Sequence, residues 1–537
     1  MIKYFFSLLL VVSYVNAEIT LNEINSKPPC RAKDFMIWQY LRQDISKSQA
    51  QEAYNQLSIK NNRMLFVYAK KTDDSDIKRR VLCKKRKDLL NITDQECLKL
   101  AVSPYKTLAL TDEQREELLE KTDDNQTKKL LKIQSGPYTQ KAYEKYDANT
   151  VLTFFIKSPS SFRRKNLNIF LDETFINQLS NSWKISQFVR IVVNDDKLNK
   201  LQLSLLNLNS VNLNSKTIFL LAINHLRHSS KTQAMNFFVA SLKKSKSAME
   251  IDKNYFWLYL VSKNKEYLKK LLLSMDINIY TIYAHEVLNE GFENYFTDVE
   301  TINSKSQENI QNPFEWNNIL KKIRSTPKSK LFDLASSYRQ KEMMPVQSLI
   351  IQRAYDYKMH GYIMPYNRYL KNLTIDDKAL VYAIMRQESL MIPSALSRSY
   401  ALGLMQLMPF LVDSISKQCN EHVCYSDMFK PKKNIDYALK HLKWMKKSLY
   451  HPLFIAYAYN GGMGFLRKHL KQGTFSDAKY EPFLSMEMML NSETREYGKK
   501  VLANYVMYKK IMGEKISIVY LFDILKDPKK TDRFRAR

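Results

Sequence analysis

IFLLAINHLRHSSKTQAMNFFVASL, residues 218–242, decides the fold class. Ile218, Leu221, Ala222 and Leu226 recur at spacings of three and four, which puts them on one face of a helix. The polar break Ser229-Ser230-Lys231 stops that pattern, and Met235, Phe238, Ala240 and Leu242 resume it. The stretch therefore predicts two short helices joined by a short turn. The same habit extends outward, from about Asp34 to Ile302. Phe35, Trp38, Tyr40 and Leu41 share a helical face, and Asp112–Leu119 is a charged helix with Thr111 as its cap. Ile251–Leu260 and Tyr267–Leu273 continue in that manner. Short helices stacked in series form an α-solenoid, or superhelix. No strict 34-residue consensus is present, so no named repeat is assigned.

Composition agrees. The 537 residues include only 10 Gly and 15 Pro, few enough breakers that a mainly all-α chain is expected. Hydrophobic residues at 45% supply cores for two to four domains. Seven of the ten glycines lie between Gly403 and Gly513, so the last third needs backbone geometry that the rest does not.

Lys3, the apolar run Phe5–Val12 and the small-residue site Val15-Asn16-Ala17 read as a secretory signal over residues 1–17. An uncleaved anchor is the alternative. No later stretch suits an integral membrane segment. An exported chain permits disulfides. Cys83 with Cys97, and Cys419 with Cys424, are close enough to close small loops, leaving Cys30 over; all-free thiols stay open too. The net charge of +30 suits an anionic polymer such as nucleic acid, an acidic lipid surface or cell-wall glycan. The lysines are spread along the chain, which also fits compositional bias. Export argues against nucleic acid. His225 and His228 have a metal-capable spacing but no third ligand nearby. The runs Lys78-Arg79-Arg80 and Lys84-Lys85-Arg86 read as a solvated helix face. Asp123-Asp124-Asn125-Gln126-Thr127 resembles an acidic Asn-glycosylation sequon.

Asn303 to Phe314 is polar and reads as a linker, followed by two or three helices from about Pro327 to Tyr369. A new unit starts at Thr374, with Asp377 as its capping partner. Its helix from Ile375 ends in Arg386-Gln387-Glu388-Ser389. Flanked by Met385, Leu390 and Met391, Glu388 is placed for partial desolvation, which would raise its pKa and make it an acid near neutral pH. Alone, it would be read as a surface Glu. It is followed by Ser397, by Gly403-Leu404-Met405-Gln406-Leu407-Met408-Pro409, by Ala456-Tyr457-Ala458-Tyr459-Asn460-Gly461-Gly462-Met463-Gly464, and by Ser492-Glu493-Thr494-Arg495-Glu496-Tyr497. The tail, Asp527–Arg537, is basic and reads as loose.

Four of these motifs occur in a set order: Arg-Gln-Glu-Ser, Gly-Leu-Met-Gln, Ala-Tyr-Asn and Glu-Thr-Arg-x-Tyr. Over about residues 374–515 the chain thereby resembles the soluble lytic transglycosylases with a lysozyme-like catalytic domain. The resemblance implies an N-terminal superhelical domain over 18–305, a small helical linker domain over 306–373, the catalytic domain over 374–515, and a tail over 516–537. It implies a periplasmic enzyme that acts on peptidoglycan glycan strands without cofactor or metal. Glu388 would protonate the bond between N-acetylmuramic acid and N-acetylglucosamine. It would then act as base on the muramoyl 6-hydroxyl, closing a 1,6-anhydro ring at strand ends. Ser397, Met405, Gln406, Met408, Tyr459, Asn460 and Glu493 would line the groove, Tyr497 would stand close to Glu388, and Ser389 would orient its carboxylate. Cell-wall synthases are candidate partners. Two competing readings are a muramidase that hydrolyses the same bond and a glycan-binding scaffold without essential catalysis. No obvious second carboxylate occupies a nucleophile position, which suits a one-acid scheme. Two departures from the family pattern stand out: Tyr400 where the first Gly is usual, and Gly461-Gly462-Met463-Gly464 after Asn460.

Overall fold

The computed structural model describes residues 19–535, so the expected leader, residues 1–17, lies outside the described residues. The described residues are helical almost throughout, and the fold class is all-α as expected. None of their helices is long and apolar enough to cross a membrane.

The opening stretch forms the helices Ser215–His228 and Lys231–Lys244. Ser230 is the hinge between them. Its side chain accepts from the Gln233 N–H at 3.1 Å, so the polar break is a cap. Asn214, Ser247 and Asn278 cap neighbouring helices in the same way, and set where Ser215–His228, Ala248–Ser262 and Ile279–Leu288 begin. The apolar faces between them close around buried Phe219, Phe238, Phe256 and Trp257. A satellite core around Leu89, Leu98, Leu118 and Leu131 lies further toward the N-terminus, and the disulfide Cys83–Cys97 crosses it.

The stretch from 289 to 373 carries its own core of Ile319, Ile323, Leu331, Val346 and Ile350. Pro313 is the first residue of the helix Pro313–Ser325, so the polar linker ends there. A two-residue parallel strand pair, Tyr295–Phe296 with His360–Gly361, joins the two ends of this stretch. Pairs so short leave no periodic signal to read.

From Thr374 on, the helices Ile375–Ser389, Pro409–Gln418, Pro431–Lys446, Pro452–Gly461 and Ser492–Ile511 surround a buried centre. Two glycines are needed here. At Gly498 a Cβ would lie 2.1 Å from the Tyr457 ring, so Gly lets two helices meet. Gly403 has φ +73°, and a Cβ would strike the Met428 carbonyl at 2.1 Å. The helical N-terminal half and this unit share one continuous core. Phe256 meets Phe483 edge-on at 4.7 Å, and the Glu286 carboxylate accepts from the Ile518 N–H at 2.8 Å.

Two expectations change. The tail is ordered through the described residues. Thr531 and Asp532 are fully buried, and the Arg535 guanidinium donates to the carbonyls of Phe475 at 2.8 Å and Leu525 at 2.9 Å. Arg535 gave no local sign of this because Phe475, one of its acceptors, lies 60 residues away in sequence. Cys419 and Cys424 stay free, with Cys419 Sγ accepting from Lys440 Nζ at 2.8 Å while Cys424 starts the turn Tyr425–Phe429. His225 packs on Phe237 at 4.4 Å, and His228 meets Gln202 at 2.9 Å. Among the described residues no group of His, Cys, Asp or Glu side chains could hold a metal ion. At the sequon, Asn125 opens a helix, and the Thr127 hydroxyl donates to Asp124 at 2.8 Å.

Candidate active site

Glu388 sits in the last turn of Ile375–Ser389, which Thr374 starts by accepting from the Asp377 N–H at 3.2 Å. The helix stops because Leu390 and Met391 both turn left-handed, at φ 51° and 68°. That turn leaves Glu388 at a corner facing a cavity of about 900 Å³. As a whole residue Glu388 is half-buried, but its carboxyl is enclosed. Oε1 accepts a hydrogen bond from the Tyr497 hydroxyl at 2.7 Å. No cation of the described residues makes an ion pair with it. Burial raises its pKa, the Tyr497 bond lowers it, and the charge on Glu493 raises it again, leaving it at about 7. A carboxyl so poised can give a proton and take one back near neutral pH.

Asn460, Glu493 and Tyr497 line the same cavity, with Gln387 and Ser492 beside them. Asn460 is held by the Thr494 hydroxyl at 2.7 Å and reaches Glu493 at 3.4 Å. Tyr459 stands outside that lining; it donates to the Met405 carbonyl at 2.7 Å, and burial, helped by the Glu388 charge, keeps its phenol protonated.

The remaining candidates build the loop from Ala395 to Met408 and lie outside the cavity lining. Ser397 Oγ accepts from the N–H groups of Ser399 and Ala401, at 3.1 and 2.9 Å. Gln406 donates to the carbonyls of Ala395 and Gly403, at 3.0 and 2.8 Å. Met408 precedes the helix Pro409–Gln418 and is half-buried. Two expectations are corrected. The Met405 side chain is fully buried, so it offers the site only its carbonyl. Ser389 Oγ donates to the Met385 carbonyl at 3.1 Å and not to the carboxylate, because a buried helical hydroxyl takes the nearest free acceptor one turn back.

Tyr400 proves to be an anchor. It adopts φ 65°, which suits Gly better, and is almost fully buried. Its ring packs on Phe35 at 5.1 Å and Trp38 at 5.7 Å, both on the N-terminal helix Arg31–Tyr40. Arg63 covers the ring at 5.1 Å and donates to the Ser399 carbonyl at 2.6 Å. Arg31 donates to the Leu396 carbonyl at 2.8 Å. Side-chain packing thus holds a loop shape that Gly would adopt at lower cost. At the second departure, Gly461 ends one helix, Gly462 turns at φ +87°, and Met463 starts the next.

The far side of the cavity went unread in the sequence. It holds Arg190, Lys216, Phe219 and Lys253 from the superhelix, facing Glu487, Arg495, Glu496 and Lys500. Lys499 is fully buried, pairs with Glu487 at 2.7 Å and lies 3.6 Å from Glu496. Tyr280 donates to the same Glu487 at 2.7 Å. Burial pushes the carboxyl of Glu487 up, but Lys499 and Lys253 outweigh it and hold it below the usual range. The one sequence signal was Arg190 within the apolar run from Phe188 to Val193.

Residues 366–481 match the Transglycosylase SLT domain family. A soluble lytic murein transglycosylase of Escherichia coli is 28% identical over 211 residues, 38% of this chain and 32% of that protein. A Haemophilus influenzae protein given that description provisionally is 32% identical over 208 residues, 37% of this chain and 34% of its own. The match thus spans about a third of the length of these relatives. The lytic transglycosylase Slt of Pseudomonas aeruginosa, solved as an inactive mutant, shares the fold. Its TM-score is 0.50 at 15% identity, covering 93% of this chain and 84% of that one. The likeness to soluble lytic transglycosylases with a lysozyme-like domain, read from the four motifs, therefore holds.

Proposed function

We propose that this chain, similar over its last third to the soluble lytic transglycosylases, cleaves the β-1,4 bond between N-acetylmuramic acid and N-acetylglucosamine in peptidoglycan. The observation that carries this reading is the carboxyl of Glu388, at about 7 and without a cation partner. Protonated, it donates to the glycosidic oxygen as the bond breaks. The resulting carboxylate then takes the proton of the muramoyl 6-hydroxyl, whose oxygen closes on the anomeric carbon as a 1,6-anhydro ring. Such acid–base work contributes about 10²–10⁴ in rate. An internal hydroxyl replaces water with the advantage of proximity. Tyr497 holds the carboxylate between the two steps, and Asn460, Glu493 and Tyr459 position sugar. Ser397, Gln406 and Met408 shape the loop above.

The enzyme works in the periplasm and trims strand ends, with the superhelix of 18–305 and the linker unit of 306–373 flanking the catalytic unit of 374–515. The docking of Phe35 and Trp38 on Tyr400 supports end-trimming, since it closes the superhelix onto the catalytic unit. A second reading rests on Glu493. It is a second carboxylate on the cavity, and as a base on water it would make a muramidase. Mass spectrometry of digested sacculi separates them. We expect 1,6-anhydromuropeptides from the wild type and none from Glu388→Gln. Reducing-end products would overturn the first reading in favour of the second.

A further inference from the structure

We propose that Arg190, on the superhelical wall of the cavity, is a binding residue for a carboxylate carried by the substrate, namely one on the peptide attached to muramic acid. This rests on the reading above, because the glycan backbone itself brings no such anion near Glu388.

The helix Ile185–Val193 buries Ile185, Phe188, Val189, Val192 and Val193. Arg190 interrupts that apolar set and lines the cavity with Glu388. Its side chain makes no ion pair or hydrogen bond with any described residue, and its Nη1 is sealed from solvent without a partner. A guanidinium keeps its charge and offers five donors, so a desolvated and unpartnered one is costly. Burial lowers its pKa, to about 10, well above any working pH.

Four other cations of this wall are already engaged. Lys216 pairs with Glu250 at 3.2 Å, Arg495 with Glu496 at 2.8 Å, and Lys499 with Glu487 at 2.7 Å. Lys253 stands 3.9 Å from Glu487 and lies over the Phe219 ring. Lys500, the remaining cation, is exposed, and of all these groups Arg190 alone has a donor sealed from solvent without a partner. Its chemistry fits a planar anion held by two parallel N–H bonds. In murein, the groups of that kind nearest the reacting bond are the carboxylates of the stem peptide.

The test uses the full chain and reads binding, so that it does not depend on cleavage. Glu388→Gln and Glu388→Gln/Arg190→Met are compared on glycan strands that carry stem peptides and on the same strands with the peptide carboxylates capped as amides. Removing a hydrogen bond to a charged group costs about tenfold or more in affinity. We therefore expect a Kd about tenfold weaker for strands with free peptide carboxylates, with no change for amidated strands. Arg190→Met should also raise the melting temperature without ligand, since it removes an unpaired buried charge. Equal weakening on both strands, no weakening on either, or a lowered melting temperature would overturn the proposal. Wild-type cleavage of sacculi, read separately, decides the parent reading.

Discussion

Glu388 and Glu487 line the same cavity, yet their carboxyls are pushed in opposite directions. Both are desolvated, and burial pulls both upward. Glu388 has only a phenol as partner and the like charge of Glu493 nearby, so it rises to about 7. Glu487 has Lys499 and Lys253, which reverse the burial cost. Burial therefore does not set the sign of the shift; the charges within reach do. One carboxyl is left able to move a proton, and the other is locked as part of the frame.

The largest test breaks the locked side. Lys499→Met strands Glu487 and Glu496 without their shared cation, and should cost about 3–5 kcal/mol in urea unfolding. The loss should grow toward neutral pH. Depressed carboxylates contribute stability above their unfolded pKa, and lose it as pH falls through the folded one. A loss below about 1 kcal/mol would mean that this cluster is solvated like a surface pair.

The second test acts on Glu388 and has the opposite sign. Its folded pKa of about 7 lies above the ordinary 4.5, so its contribution is intact below 4.5 and lost as pH rises through 7. Glu388→Gln should match the wild type in stability at pH ~4, and exceed it by roughly 3 kcal/mol at pH ~8. Thermal melts at the two pH values check this, and a variant less stable at the higher pH would contradict it.

Tyr497→Phe sharpens the contrast. The phenol favours the charged carboxylate, so its removal raises Glu388 further. The alkaline limb of the kcat/KM profile should move up by about one pH unit. The smallest effect is expected at the loop anchor. Arg63→Ala loses the Ser399 bond and the contact over Tyr400, and should cost about 0.5–1 kcal/mol by thermal melting.

The two sides also differed in how far the sequence revealed them. Glu388, Asn460, Glu493 and Tyr497 sit in dense local motifs, and the structure gathers them around one cavity. The helix ending at Ser389 and its Thr374 cap were likewise legible, because caps and helical spacing are local signals. Met405 and Ser389 were misjudged, since a motif names residues without saying which way each side chain points. The opposite wall left one mark, Arg190 inside an apolar run. Arg190 and Lys253 meet the Tyr497 helix across some 240–300 residues, and nothing local marks such a meeting. Tyr400 looked like a flaw in a Gly-rich turn until its partners Phe35 and Trp38 appeared.

The bond from Arg31 to the Leu396 carbonyl joins residues 365 positions apart, and this has a consequence in time. Chains are made at roughly 5–20 residues per second, so the helix Arg31–Tyr40 waits roughly 20–70 s for its seat to be synthesised. Throughout that wait the faces of Phe35 and Trp38 that Tyr400 and Tyr425 later cover stay bare. The beginning of this chain is therefore among the last parts to be finished, and its aromatic helix is where a holding chaperone would find its grip.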